Sequence, residues 1–327
     1  MSEIKIGVMG DPQLLNEVVH DVNSQDDMEL VAVFSQEEAE TTVGYTQPVK
    51  KERLEKISEY SDQIDVLIIC SGATTDTYKQ TLEYSQYFNV VESYLPMIKL
   101  PIHLERVDRV AREHDKLAIL ALDWAPGFFS LNRLLAEAVL PQGETYQFTG
   151  RSVSQGHSET LRRVKGVADA VQYTLPAEEA LESVRKGEAP EISIGQQQSR
   201  EAFVVLEEGA DPEQVRAAIQ QLPDYFSSNA TEVHFISQEE MAQEHQGNSQ
   251  AGTLIRTGKY EKGKGHLLEF QLNLEAKPIF TASVLVAYAR AAYRLSVKGE
   301  KGARTILDIP VSEIAPYDRE WLIENFL

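Results

Sequence analysis

A doubly wound parallel α/β sheet joined to a second, α+β unit is the fold class expected of this chain of 327 residues, and three stretches carry that expectation. Residues 4–35 read strand, helix, strand: IKIGVMG ends in glycine, a helix spans residues 12–23, and ELVAVFS at residues 29–35 is a second apolar strand. Residues 64–70 (IDVLIIC) form a continuous apolar run, the pattern of a parallel strand covered on both faces. After Gly127 the texture shifts to strands that alternate apolar and polar residues.

The alternation of strand and helix continues past the central run. A helix is expected over residues 75–87, a short strand over 89–94, a helix over 102–114 and a further buried strand, LAILAL, over 117–122. This succession is Rossmann-like, and in such sheets ligands sit beyond the carboxyl ends of the strands. The positions to inspect are therefore 10–15, 35–38, 70–73, 94–97 and 123–127. Next comes a helix over 128–140, then strands at 145–148, 202–206, 232–236 and 266–272, with helices at 176–186 and 212–221. A long helix at 278–297 (PIFTASVLVAYARAAYRLSV) starts on proline and stops at Gly299, and its small residues Ala282, Ala287, Ala289 and Ala292 predict close packing on a sheet. The expected boundaries are 1–124 with about 298–327 for a dinucleotide-type domain, and 125–297 for a substrate-binding and dimerisation domain.

Composition narrows the classes of partner. A formal net charge of -20 repels nucleic acid and anionic lipid, so neither a nucleic acid nor a membrane is expected as a partner. The one cysteine, Cys70, excludes an internal disulfide and suits a reducing compartment. MSEIKIGV carries no basic stretch before the first strand, and no apolar run approaches about 18 residues, which together point to the cytoplasm. The histidines are scattered without metal-ligand spacing, so no metal site is expected. Residues 243–250 (QEHQGNSQ) are the nearest approach to a mobile segment.

The opening strand–helix–strand unit poses a conflict. In this setting the turn after the first strand usually reads Gly-x-Gly-x-x-Gly, because a diphosphate must approach bare backbone amides at a helix N-terminus. Here the turn is Gly10, Asp11, Pro12, Gln13, Leu14 and Leu15. The architecture calls for a dinucleotide while the turn chemistry opposes one.

From Ser154 the chain reads SQGHSETLRRVKGVADAVQYTLPAEEALESVRKGE, and this run resembles the corresponding segment of meso-diaminopimelate dehydrogenases. The likeness extends to the stretch Trp124, Ala125, Pro126, Gly127, Phe128, Phe129, Ser130, Leu131, Asn132 and Arg133, to Pro223 through Phe226 and to Phe280 through Ser283, and so covers essentially the whole chain. The resemblance implies a homodimer that uses NADP to deaminate the D-centre of meso-diaminopimelate oxidatively, giving L-2-amino-6-oxopimelate in lysine and cell-wall synthesis. It implies cofactor contacts at Gly10, Leu14, Phe34, Ser35, Cys70, Gly72 and Tyr94, and substrate contacts at Trp124, Gln155, Gly156, Thr174 and Arg200. Thr174 and Arg200 stand where the family holds the carboxylate of the L-centre.

The same comparison exposes departures. The family's turn is close to Gly-Tyr-Gly-Asn-Leu-Gly, so Pro12 removes an amide donor and Asp11 sets a negative charge beside the expected diphosphate. The family's Phe-Ser-Arg-Arg, whose arginines clamp the 2'-phosphate, appears as Phe34, Ser35, Gln36 and Glu37. Losing two charge-assisted contacts of about 1.5–3 kcal/mol each weakens binding roughly a hundredfold to ten-thousandfold. NADP binding is therefore expected to be weak or absent, while Glu37 could still accept from a ribose hydroxyl as in NAD sites. On the substrate side, Tyr-Asp-Asn-His of the family appears as Tyr94, Leu95, Pro96 and Met97, and Trp-Asp-Pro-Gly as Trp124, Ala125, Pro126 and Gly127. Both carboxylates expected around the reacting ammonium are absent. Thr149, Gln250 and Lys277 replace a tryptophan, a histidine and an asparagine of the family pocket. No residue is assigned a catalytic role, although Asp123 places a carboxylate one position ahead of the family's. Arg162, Arg163, His157 and Cys70 are expected to be structural. A dehydrogenase of the diaminopimelate type with impaired or altered activity is the first reading; a degenerate relative that binds an amino acid without NADPH is the alternative.

Overall fold

The computed structural model describes residues 3–35, 50–70, 77–93, 100–188, 191, 198–222, 231–245, 250–259 and 265–327, leaving out the side chains of 125, 126, 155, 156, 259 and 277. The chain divides into two compact units, Met1–Leu131 with Pro278–Leu327, and Asn132–Lys277.

The first unit is built on a parallel sheet of seven strands. In chain order it comprises β1 (Ile4–Gly10), α1 (Pro12–Val22), β2 (Met28–Ser35), β3 (Lys51–Arg53), β4 (Val66–Cys70), α2 (Thr77–Tyr84), β5 (Asn89–Glu92), α3 (Leu100–Glu113) and β6 (Leu117–Leu120). The strand order is β14-β6-β5-β4-β1-β2-β3, where β14 (Gly302–Thr305) comes late in the chain. Every pairing in this sheet is parallel, and the order reverses direction beside β1, as in Rossmann-type folds. β4 explains why its run is apolar throughout. Val66, Ile68 and Cys70 face a core shared with Leu14 and Val18 of α1, while Leu67 and Ile69 face the opposite core with Ile57, Tyr60, Tyr84 and Val107. A strand covered on both faces has no position left for a polar side chain.

Gly10 marks the place where β1 passes β4. Its φ is +119°, and a Cβ there would stand 2.0 Å from the Cys70 carbonyl oxygen, which accepts from Asp11 N–H at 2.9 Å. Only glycine fits this crossing.

The second unit contains α4 (Phe129–Val139) from residue 132 onward, β7 (Gly143–Thr149), β8 (Ser152–Val153), α5 (Gln155–Arg162), β9 (Val167–Pro176), α6 (Glu178–Arg185), β10 (Gln198–Leu206), α7 (Pro212–Gln220), β11 (Thr231–Phe235), α8 (Gln238–Glu244), β12 (Gln250–Lys259) and β13 (Gly265–Leu274). These strands form two sheets, ordered β11-β10-β9-β8 and β13-β12-β7. The strands expected at 145–148, 202–206, 232–236 and 266–272 fall on β7, β10, β11 and β13. β9 and β12 are the central strands that those expectations leave out, and both carry buried polar residues, Gln172 and Thr174 on one and Thr253, Arg256 and Thr257 on the other.

The long helix α9 (Lys277–Val297) packs differently from the expected domain division. Ala282, Leu285, Ala289 and Ala292 are buried in the same core as β1, β4 and α1, so from Pro278 onward the helix belongs to the first unit. The chain then closes with β14, α10 (Val311–Ile314) and α11 (Arg319–Phe326), also in the first unit. Among the described residues no helix is long and apolar enough to cross a membrane.

Candidate functional site

In the first unit the carboxyl edge of the sheet presents the N-terminus of α1, and this chain supplies its own anion there. Asp11 Oδ1 accepts from Gln13 N–H at 3.1 Å and from Leu14 N–H at 3.4 Å. Leu15 N–H is taken by the Asp11 carbonyl at 2.8 Å, and Pro12 has no N–H. Each amide of the first turn is thus either spoken for or missing, which is how an N-cap satisfies a helix start. Leu14 and Leu15 both turn into the core.

The neighbouring positions are packed rather than open. Phe34 is 1% exposed and meets Tyr60 edge to face, with ring centroids 5.3 Å apart. Ser35 is half-buried at the end of β2. The Cys70 thiol is fully buried, and burial, reinforced by the negative charge of Asp11, pushes its pKa far above the ordinary thiol range. It is a protonated, unreactive packing group. Gly72 and Tyr94 lie outside the described residues, as do Gln36, Glu37 and the segment from Leu95 to Met97.

Residues after β6 form the other feature of this edge. Trp124–Phe128 make one π-helical turn, in which Phe128 N–H reaches the Asp123 carbonyl at 2.9 Å. Pro126 lacks the amide that a tighter turn would need, and such π-turns recur at ligand sites. Gly127, at φ +140°, donates its N–H to Ser130 Oγ at 3.2 Å. Trp124 is half-buried and set edge-on to Phe129, with centroids 6.0 Å apart. The Asp123 side chain is 5% exposed and accepts from Thr281 Oγ1 of α9 at 2.7 Å. The carboxylate that sequence places one residue early is therefore committed to a buried contact with α9.

In the second unit the antiparallel pairing of β9 and β10 sets Arg200 directly opposite Thr174, with Ser152 of β8 on the other side of Thr174. Thr174 is 9% exposed and Arg200 is half-buried. Alternation along the strands puts Gln172, Thr174 and Arg200 on the face covered by α5. There His157 Nδ1 lies 2.7 Å from Ser154 Oγ and 3.0 Å from Gln172 Nε2. Both contacts converge on Nδ1, and the tautomer sets which group donates. Burial, and then the nearby charge of Arg200, hold the His157 pKa below its ordinary value, so the ring is neutral. Ser158 Oγ accepts from Gln172 N–H at 2.9 Å and fixes α5 to β9. Gln155 and Gly156 open α5. Ser154 and Gln172 were not singled out in the sequence; the signal was the polar pair Gln172 and Thr174 at strand spacing inside an otherwise apolar run.

The remaining candidates are structural. Arg162 binds Asp169 at 2.9 Å and Arg163 binds Glu159 at 3.2 Å, both on the surface. Thr149 accepts from Gln198 Nε2 at 2.9 Å, tying β7 to β10. Gln250 begins β12 and pairs with Leu274. Glu201, Glu232 and His234 on β10 and β11 bring possible ligand atoms within 4.8 Å of one another, a grouping that chain spacing did not foreshadow, on a partly exposed surface.

The first unit carries a Rossmann-type sheet, and the second is an α+β unit with Thr174 and Arg200 paired across strands on a covered face. The profile of the diaminopimelic acid dehydrogenase C-terminal domain matches residues 123–276. The meso-diaminopimelate D-dehydrogenase of Ureibacillus thermosphaericus is 47% identical over 327 residues, covering 100% of both chains. Among solved structures, the C. glutamicum DAP dehydrogenase in complex with DAP has a TM-score of 0.84 at 35% identity, covering 100% of each chain. An engineered D-amino acid dehydrogenase bound to NADP+ has a TM-score of 0.78 at 33% identity, again over 100% of each chain. The chain belongs to the meso-diaminopimelate dehydrogenase family.

NADP is the family's cofactor, and the turn that would receive its diphosphate does not fit it. The Asp11 carboxylate already occupies the amides of Gln13 and Leu14, and a second anion there would meet like charge and no free donor.

Proposed function

We propose that this protein recognises a diaminopimelate-like amino acid and retains the family's oxidative deamination of the D-centre in impaired or altered form, as a cytoplasmic homodimer. The observation that carries this reading is the cross-strand pair of Thr174 and Arg200. A planar guanidinium can take a carboxylate through two parallel hydrogen bonds, and the threonine hydroxyl can add a third. A neutral His157 beside Arg200 adds no positive charge of its own. NADP, the cofactor of the family reaction, is expected to bind weakly here.

Calorimetric titration with meso-diaminopimelate, followed by an assay of NADP reduction between about pH 7 and 11, tests both parts; the alkaline arm favours the deprotonated amine that deamination requires. Saturable binding with slow reduction supports the reading. Absence of binding removes it.

A second reading is favoured by the self-capped α1: an amino-acid-binding module that does without NADPH altogether. Tight NADPH binding in a fluorescence titration would remove this alternative.

A further inference from the structure

The helix α5 starts without a side-chain cap. Ser154 stands at its N-cap, yet the serine side chain accepts from no amide of the first turn. A serine in this place can form a capping box, with its hydroxyl on the third helical amide and the third side chain returned to the serine N–H. Both halves are diverted here. Ser154 Oγ lies 2.7 Å from Nδ1 of the His157 ring, and Ser154 N–H goes to the Gln172 carbonyl of β9 at 2.8 Å.

β9 holds that arrangement in place. Gln172 is fully buried, and its Nε2 lies 3.0 Å from the same imidazole nitrogen. Its main-chain N–H donates to Ser158 Oγ at 2.9 Å, and Ser158 Oγ donates to the Ser154 carbonyl at 2.8 Å. One residue of β9 thus fixes the first turn of α5 and also the ring that draws Ser154 away from the amides. Gln172 Oε1 is buried with no partner among the described residues, a cost to stability that points to a role other than holding the fold.

The carboxylate pair lies at the same place. Thr174 follows Gln172 by two positions and so shares its face. Arg200 stands opposite Thr174, and Ser152, two residues before Ser154, pairs with Thr174 on its other side. The start of α5 is therefore beside Thr174, wholly within the second unit. A helix start without a cap carries partial positive charge and amides that the helix itself does not use, and both attract an anion. α1 shows the closed alternative, since Asp11 spends such amides on its own carboxylate.

We propose that His157, held by Gln172, is a positioning residue: by engaging the Ser154 hydroxyl it keeps the first turn of α5 uncapped, so that this helix end joins Arg200 and Thr174 in holding the ligand's carboxylate. The proposal rests on the reading of Thr174 and Arg200 as a carboxylate site. His157 and Gln172 act through Ser154 and α5.

The test uses the full-length protein and two readouts: deuterium exchange of the backbone amides of residues 155–158 without ligand, and calorimetry with meso-diaminopimelate. His157→Leu combined with Gln172→Leu removes both buried polar partners together and frees the Ser154 hydroxyl to cap α5. Exchange in the first turn is expected to slow, and affinity to fall about fivefold, the worth of one N-cap. Adding Ser154→Gly removes the competing hydroxyl and should return both readouts toward the parent. A role in stability alone would leave the loss of affinity unrepaired, and that result would overturn the proposal, as would unchanged exchange or affinity in the folded double variant. Should the double variant fail to fold, Ser154→Gly alone decides. Its exchange over 155–158 should match the parent, because no cap is lost; faster exchange would show that the hydroxyl already caps α5 and would overturn the proposal. If the parent protein binds no meso-diaminopimelate, the proposed function falls, while the exchange arm still decides the role of His157.

Discussion

Arg290 grips Asp27 through two hydrogen bonds, Nε to Oδ2 at 2.6 Å and Nη2 to Oδ1 at 2.7 Å, and so fastens α9 to the turn between α1 and β2. The guanidinium is otherwise spent on Gln25 Oε1 at 2.9 Å and the Ile314 carbonyl at 3.1 Å. Arg290 is only 2% exposed. Replacing it with methionine leaves a half-buried carboxylate without its cation, and the expected cost is about 3–5 kcal/mol of stability in urea denaturation.

The same pair predicts an acid limb. Burial pushes the Asp27 carboxyl up, but the hydrogen bonds and charge of Arg290, aided by Arg294, outweigh it and hold the pKa below the usual carboxylate value. A depressed folded-state pKa gives stability that is present above the unfolded value and is lost as pH falls through the folded one. The stability gap between the parent and Asp27→Asn should therefore be full at neutral pH and close in acid, below about pH 4. A gap that persists at the lowest pH where the protein stays folded would contradict this.

Arg200→Met should weaken meso-diaminopimelate by roughly tenfold to a hundredfold, the loss of one charge-assisted contact of about 1.5–3 kcal/mol. It should also raise the pKa of His157, since the Arg200 charge is one of the two causes that depress it. Proton NMR of the imidazole checks the second effect without any ligand present.

Asp11→Gly with Pro12→Gly frees the first-turn amides of α1, at a cost of a few tenths of a kcal/mol for the exchanged cap. Combined with Gln36→Arg and Glu37→Arg, it should raise NADPH affinity by about a hundredfold. Fluorescence titration measures this. An unchanged affinity would show that something other than the cap and the missing arginines closes the crevice.

Glu92 predicts an effect of opposite sign to Asp27. Burial raises its pKa, against the hydrogen bonds from His103, Thr81 and the Ala121 amide. A raised folded-state pKa gives stability that is full below the unfolded value and declines as pH rises through the folded one. Replacement by glutamine removes that titration, so the stability of Glu92→Gln should fall less than that of the parent on the alkaline side of about pH 4.5. Parallel curves for the two proteins would refute the assignment.

Much of the first unit is legible from local pattern because its sheet is covered on both faces, which forces unbroken apolar runs such as that of β4. The positions of β9 and β12 were hidden by Gln172, Thr174 and Arg256, polar residues whose partners lie far along the chain. The allocation of α9 was hidden for a similar reason: the small-residue face shows that the helix packs closely, but Ala289 does not reveal which sheet it meets. Gly10 illustrates an ambiguity of meaning. It reads as a remnant of a nucleotide turn, yet the Cys70 carbonyl alone requires a glycine there. Glu92 is not legible in the sequence because one acidic residue at a strand end looks like the start of a solvated loop; only the fold brings Thr81 and His103 around it.

The carboxylate at the start of α1 has a thermodynamic corollary. A helix that waits for a nucleotide gains stability by mass action, so its melting rises and falls with the free cofactor concentration. With Asp11 covalently in place, the effective occupancy of that helix end is permanent. The stability that Asp11 lends to the start of α1 is therefore independent of nucleotide concentration.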